Sequence, residues 1–329
     1  MNDANGRTFH RLPLTTSPIH NELIASYLAR LEHCNTLDTR TLERAITASP
    51  LRIADALAQL AGTTKTQLAT ALPELRLPVD NLPRSARLKI LGFDGIAIAC
   101  QRCVAIKPGD TPFARQWSHN HDTICHQHNR WTGSPATPGT GQIDLTDLPQ
   151  ILAASHRHHA IARRHGQRVT SSAFLQAAAL IDQWHSALLL PQIDARAADL
   201  ATKTRHQGKT KSAAEQACRY PEIVAATAHL ADTEWLRDAT RSPARAAQAL
   251  QQIQAVVAIP GGQLLTSQQS AEWIHRLLRG ALIEIDPPPR LPPRNARFIP
   301  RRTQFEAQPR RESAEDIPST VYRNGRATR

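Results

Sequence analysis

The sequence predicts a mainly α-helical protein carrying one small β-knuckle, and three observations lead there. Aromatic residues are only 4% of the 329-residue chain, too few for a large sandwich or barrel built on aromatic and β-branched strands. Ala, Leu and Gln, which are good helix formers, are abundant. Apolar residues recur at three- and four-residue spacing over most of the chain, which is the period of one helix face. At roughly 100–200 residues per domain, the length accommodates two domains and a tail.

The first segment, 10–85, reads as short helices. Ser17-Pro18 offers a cap with Pro at the first helical position, and Ile19, Leu23, Ile24, Tyr27, Leu28 and Leu31 then form one apolar stripe. Leu42, Ala45 and Ile46 mark a second helix that ends at Ser49-Pro50. Ile53, Ala54, Leu57, Leu60 and Ala61 make a third, which Gly62 can stop. Thr63 or Thr64 can cap a fourth through Leu68 and Leu72. Helix, short Gly-containing turn, helix is the layout of a helix-turn-helix, and its second helix would offer Lys65, Thr66, Gln67 and Thr70 to DNA. A plain αα-hairpin has the same pattern.

Pro73, Pro78 and Pro83 then mark a connection, and 88–99 (LKILGFDGIAIA) reads as two short strands about Asp94-Gly95. These open a zinc-binding module over 86–133. A Gly/Pro/Thr-rich stretch at 133–149 is a boundary or hinge. The C-terminal helical domain spans 150–284. One helix starts at Ile151, and a second runs from Phe174 to Leu189 with Pro191 stopping it. Others lie around Ile223–Leu230, Leu250–Val257 and Trp273–Leu278. The 285–329 tail, rich in Arg and Pro, is expected to be disordered.

The metal site is the most specific local signal. Cys100, Cys103, Cys125 and His128 form a C-x2-C-x21-C-x2-H set, two short clips that suit one tetrahedral, structural Zn²⁺ with no position left for a catalytic water. His126 is an alternative fourth ligand, although its one-residue spacing from Cys125 makes a poorer clip. Cys34 and Cys218 lie in apolar helical patterns and read as packed thiols.

The charge pattern points to a polyanion. Lys+Arg total 40 against 28 Asp+Glu, and 34 of the 40 are Arg, a bias that a GC-rich coding sequence also produces. Two runs lack acids: 156–168, with Arg157, Arg163, Arg164 and Arg168, and 203–211, with Lys203, Arg205, Lys209 and Lys211. Arg binds phosphate oxygens bidentately, so both runs are candidate DNA-backbone contacts. The four His of the first run could also be a metal tract, although it lacks a thiol. Catalysis has little support. His119-Asn120-His121 spells HNH, but the ββα-metal nucleases take those residues from separate elements, and no GxSxG, GxxxxGK[ST] or HExxH occurs. The absence of an 18-residue apolar run or a signal-peptide pattern predicts a cytoplasmic chain without membrane association.

Taken in order, these features resemble the TniQ/TnsD family of transposition target-selection proteins, in particular its standalone actinobacterial type. Glu22-Leu23-Ile24-Ala25-Ser26-Tyr27-Leu28-Ala29-Arg30-Leu31 is similar to the family's E-S-L-x-S-W-L-x-R-L opening helix. Leu57-Ala58-Gln59-Leu60-Ala61-Gly62 with Leu68 resembles its helix-turn-helix. The two metal clips, with Trp131 soon after His128, resemble its zinc clip. Arg219-Tyr220-Pro221-Glu222-Ile223-Val224, with Trp235 beyond, is similar to its Y-P-E-V segment. Gln101 stands where the family usually has Pro, and no second zinc pair follows His128. The resemblance implies a non-enzymatic adaptor that binds double-stranded DNA or docks on an RNA-guided targeting complex. It would engage an AAA+ ATPase regulator of transposition, with a homodimer as an open alternative.

Overall fold

The computed structural model describes residues 9–77, 83–105, 113–133, 142–203, 211–258 and 268–285. It is mainly helical, with thirteen α-helices and four short strands among those residues. None of the described helices is long and apolar enough to cross a membrane. The Arg/Pro-rich tail, Arg205 and Lys209 lie outside the described residues, as do 134–141 of the 133–149 stretch.

The N-terminal part packs α1 (Ile24–Cys34), α2 (Thr41–Thr47), α3 (Ile53–Ala61) and α4 (Lys65–Ala71) around Tyr27, Leu31, Leu42, Ile46, Leu57, Leu60 and Leu68. Gly62 adopts a left-handed φ of 62° and closes α3. A Cβ there would sit 2.5 Å from the exposed Arg11 side chain, which would have to swing aside, so it is the left-handed conformation that favours Gly. Thr64 then caps α4 reciprocally with Gln67. Two helices joined by a short Gly-containing turn are therefore present, an arrangement that an αα-hairpin shares.

Helix α1 starts later than expected. Leu23, not Ser17, is its N-cap. The preceding residues instead form a lead-in tied down by Glu22, which is fully buried with Arg30. Glu22 accepts from the Ile19 amide (2.8 Å), Ser26 Oγ (3.0 Å), Arg30 Nε (2.8 Å) and Arg30 Nη2 (2.7 Å). Its own amide donates to the Ala71 carbonyl at the end of α4. Three charged or polar positions of the E-x3-S-x3-R motif thus form one sealed network that holds α1 against α4.

The first of the two expected strands in 88–99 is a helix. Residues Arg84–Leu91 form α5, which ends at Gly92 with φ 75°. Ile90 is 55% exposed, so its apolar character marks no sheet face. Strand β1 (Gly95–Ile98) pairs antiparallel with β2 (Arg115–Ser118), with Ile96 opposite Trp117. A second hairpin, β3 (Ile124–Cys125) with β4 (Arg130–Trp131), follows.

The C-terminal part holds α7 (Pro149–His165), α8 (Gln167–Ser186), α9 (Pro191–Lys203), α10 (Lys211–Leu230), α11 (Thr233–Ala239), α12 (Pro243–Val256) and α13 (Gln268–Ile285), α6 (Gln101–Ala105) being the short helix of the metal module. Pro191 opens α9 rather than only stopping α8; Pro at a first helical position lacks only an amide that has no partner there anyway. Pro221 lies inside α10 and removes one rung of its hydrogen bonding. Arg196 braces that turn, its Nε donating to the Cys218 carbonyl (3.0 Å) while its guanidinium pairs with Glu222.

One core runs from the second hairpin into these helices. Ile124 and Trp131 pack with Ile143, Leu145 and Leu148, and the cluster continues through Ile151, Trp184, Tyr220 and Leu250 to Ile285. Residues 142–148 are therefore a strap across the expected boundary, anchored by buried Gln142, Ile143, Leu145 and Leu148. Gln142 spans its start, accepting from the Gln101 amide (2.9 Å) and donating to the Ala99 carbonyl (3.0 Å).

Candidate metal centre

Cys100 follows β1, and Cys103 lies in α6, one short turn on. Cys125 ends β3, and His128 sits in the tight turn before β4, its amide bonded to the Cys125 carbonyl at 3.3 Å. Asn129 closes that turn with φ 48°. Trp131 then anchors the hairpin in the core with its ring 5.4 Å from that of Tyr220. The Gln142 amide fixes the backbone on both sides of Cys100.

This brings the four donors together. Cys103 Sγ lies 3.6 Å from Cys125 Sγ and 3.2 Å from His128 Nδ1. The Cys100 and Cys125 sulfurs lie 3.6 and 3.7 Å from the same nitrogen. With metal–sulfur bonds of about 2.3 Å and metal–nitrogen bonds of about 2.0 Å, a tetrahedron has S···S edges of about 3.8 Å and S···N edges of about 3.5 Å. The observed edges are those of a tetrahedral site, and the Cys100, Cys103, Cys125, His128 cluster could hold a metal ion. Among the described residues no disulfide competes for these thiols. Burial pushes the Cys103 thiol up to about 12 and raises Cys125 as well, so both thiols of the ion-free chain are protonated.

His126 is turned away from the cluster. Its Nε2 faces Ser155 Oγ at 3.1 Å and its ring stacks on His156 at 4.6 Å. The fourth donor is therefore His128. The histidines of the hairpin also meet those of α7, a contact that no local pattern predicts. His119 stacks on His121 (5.1 Å), and His121 meets His158 and His159 edge-on (5.8 and 4.6 Å). Burial lowers the proton affinity of His121, His126, His158 and His159, driving His158 down to about 3. The nearest anchor is Asp94, which accepts from the Asn120 amide (2.9 Å), Ser171 Oγ (2.7 Å) and Gln167 Nε2 (2.7 Å) and so ties the hairpin loop to α8.

The expected nucleic-acid contacts separate into two groups. Lys65, Thr66, Gln67 and Thr70 are exposed on α4, but most are engaged within the chain. Lys65 Nζ pairs with Asp55 at 2.6 Å, Gln67 serves the cap, and Thr70 Oγ donates to the Thr66 carbonyl. Arg157, Arg163 and Arg164 lie on the face of α7 opposite its buried Ile151, Ala154, Ser155, His158 and Ile161, and Arg168 is exposed at the start of α8. Among the described residues none of these four arginines forms an ion pair, whereas Arg30, Arg87, Arg196 and Arg219 each hold a carboxylate. Lys203 ends α9 and Lys211 opens α10. Comparison with known families, with curated proteins and with solved structures finds no match to this chain.

Proposed function

We propose that the chain is a zinc-stabilised, non-enzymatic DNA-binding adaptor of the TniQ type. It would join duplex DNA, or a complex that targets DNA, to an AAA+ regulator of transposition. The observation that carries this reading is the set of exposed, acid-free arginines on α7 and α8. Guanidinium groups without a carboxylate partner are available for bidentate contact with phosphate oxygens. Three thiolates and one imidazole at tetrahedral edges are the donor set of structural Zn²⁺, and four protein ligands leave no position for chemistry. In this reading the metal module is a zinc ribbon and α3–α4 a helix-turn-helix, and it is the α7 face that grips the backbone.

A second reading keeps the same face but gives it an acidic protein partner. It is favoured by the engagement of Lys65 and Gln67 within the hairpin, which leaves few groups on α4 to read bases. Duplex-binding titrations across a salt series separate the two. Phosphate contact predicts affinity that falls linearly in log–log form with salt, with a slope of about −0.9 per contact. Replacing Arg163, Arg164 and Arg168 together with Gln then flattens the slope by about 2.7. Duplex binding that is absent even at low salt, with the metal bound, rules out the DNA reading and leaves the protein partner.

A further inference from the structure

We infer that the chain carries a second metal site, formed by His121, Asp122 and His159, which takes a single divalent ion of the Zn²⁺ class with its fourth position open to water. The donor atoms of these three residues all lie within 4.8 Å of one another. His121 Nε2 is 3.6 Å from Asp122 Oδ1, beyond a hydrogen bond and close to the edge of about 3.4 Å that a tetrahedral ion with bonds of about 2.0–2.1 Å would span. The His121 and His159 rings are set edge to face, 4.6 Å apart at 74°, so they are not locked in a parallel stack.

The backbone presents the three groups from rigid elements. His121 and Asp122 stand in the tight turn between β2 and β3, where the Asp122 amide donates to the His119 carbonyl (3.0 Å) and the His119 amide donates back to Asp122 Oδ2 (3.2 Å). Asp94 pins the Asn120 amide of the same turn and is itself held by Ser171 and Gln167 of α8. His159 projects from the middle of the 17-residue helix α7. His121 Nδ1 is buried without a hydrogen-bond partner, and burial outweighs the Asp122 and Asp94 carboxylates in lowering the ring's proton affinity, which favours the neutral ring that donates to a metal.

This donor set differs in kind from the Cys3His cluster. Two imidazoles and one carboxylate are borderline-to-hard, supply one negative charge, and leave a coordination position free, the pattern of an open site rather than a closed structural one. The Asp122 side chain is 33% exposed, so that position faces solvent. The inference does not depend on the adaptor reading and would stand without it.

The test counts and distinguishes the ions on the full chain. Co²⁺ is titrated into metal-free protein and followed by absorbance, with bound metal measured after gel filtration. The first equivalent is expected to give a thiolate-to-cobalt charge-transfer band. A second equivalent is expected to add visible absorption without further charge-transfer intensity. His121→Ala and His159→Gln should each abolish the second equivalent and keep the thiolate band, which shows that the fold and the first site survive. His126→Ala and His156→Ala should keep both equivalents. Wild-type protein that stops at one equivalent overturns the inference. So does a second equivalent that survives in His121→Ala and His159→Gln but is lost in His126→Ala or His156→Ala, since that identifies unspecific capture by the neighbouring imidazoles.

Discussion

Replacing Arg30 with Met removes one partner of a fully buried ion pair and leaves the other in place. Glu22 and Arg30 both have 0% side-chain exposure. In Arg30→Met the carboxylate loses the Nε and Nη2 bonds at 2.8 and 2.7 Å and keeps only the Ile19 amide and the Ser26 hydroxyl. Thr16 Oγ1 and the Ser17 carbonyl also lose their donors. Breaking a buried pair on one side costs about 3–5 kcal/mol, because the remaining charge is neither solvated nor matched. With an unfolding entropy of about 2.1 cal/mol/K per residue, a cooperative unit of about 280 residues would lose about 5–8 °C in Tm. Thermal and urea unfolding followed by circular dichroism measure this directly. The double variant Glu22→Gln/Arg30→Met should regain much of the loss. Its neutral amide can still accept from Ile19 and can donate to Ser26 Oγ, so the uncompensated charge disappears. A loss below about 1 kcal/mol in Arg30→Met, or a double variant no more stable than the single, would refute the reasoning that an orphaned charge dominates.

Three further outcomes follow from the structure. Removing the bound ion, by chelation or by Cys100→Ser, should loosen the second hairpin and expose Trp131, seen as a shift in tryptophan emission; because Cys103 and Cys125 hold their protons in the ion-free chain, apparent metal affinity should rise with pH through neutrality. Burial works to raise the Asp94 carboxyl, but the His119 ring 3.7 Å away and the hydrogen bonds from Ser171 and the Asn120 amide outweigh it and hold it below the usual carboxylate range. Its contribution is therefore present above the unfolded value and lost as pH falls through the depressed folded one. Asp94→Asn should cost about 1.5–3 kcal/mol at neutral pH and flatten that acid limb, as read from urea midpoints across a pH series. The Cys218 thiol, buried and pushed up to about 11 by that burial, should resist a thiol reagent in the native chain and react only on unfolding.

Local patterns were legible in the sequence where the chemistry is local. The two metal clips could be read because each pair of ligands is closed by a turn of two or three residues, and the geometry adds only the distances. The α3–α4 hairpin was legible for the same reason, since Gly62 and Thr64 carry its conformation themselves. The start of α1 was misplaced because Glu22 acts through Arg30 and Ala71, partners that no cap rule contains. Leu88-Lys89-Ile90-Leu91 suited a strand by composition, yet the helix that begins at Arg84 ends only at Gly92. Pro191 reads as a helix stop, yet it opens α9, and α11 is a short helix set by the Asp232 cap. The histidine contacts between hairpin and α7 arise from tertiary packing alone, which is why neither His cluster announced the other.

The strap from Gln142 to Leu148 gives metal occupancy a reach well beyond the hairpin. Because Trp131, Ile143 and Leu145 share one core with the seven C-terminal helices, ion binding and the burial of that core are thermodynamically linked. Free ion at a hundredfold above its Kd adds about 2.7 kcal/mol to the folded state, a large part of the margin on which an ordinary domain survives. On the proposed reading, the supply of metal would set how much of the protein is folded, and with it how much of the arginine face of α7 is presented.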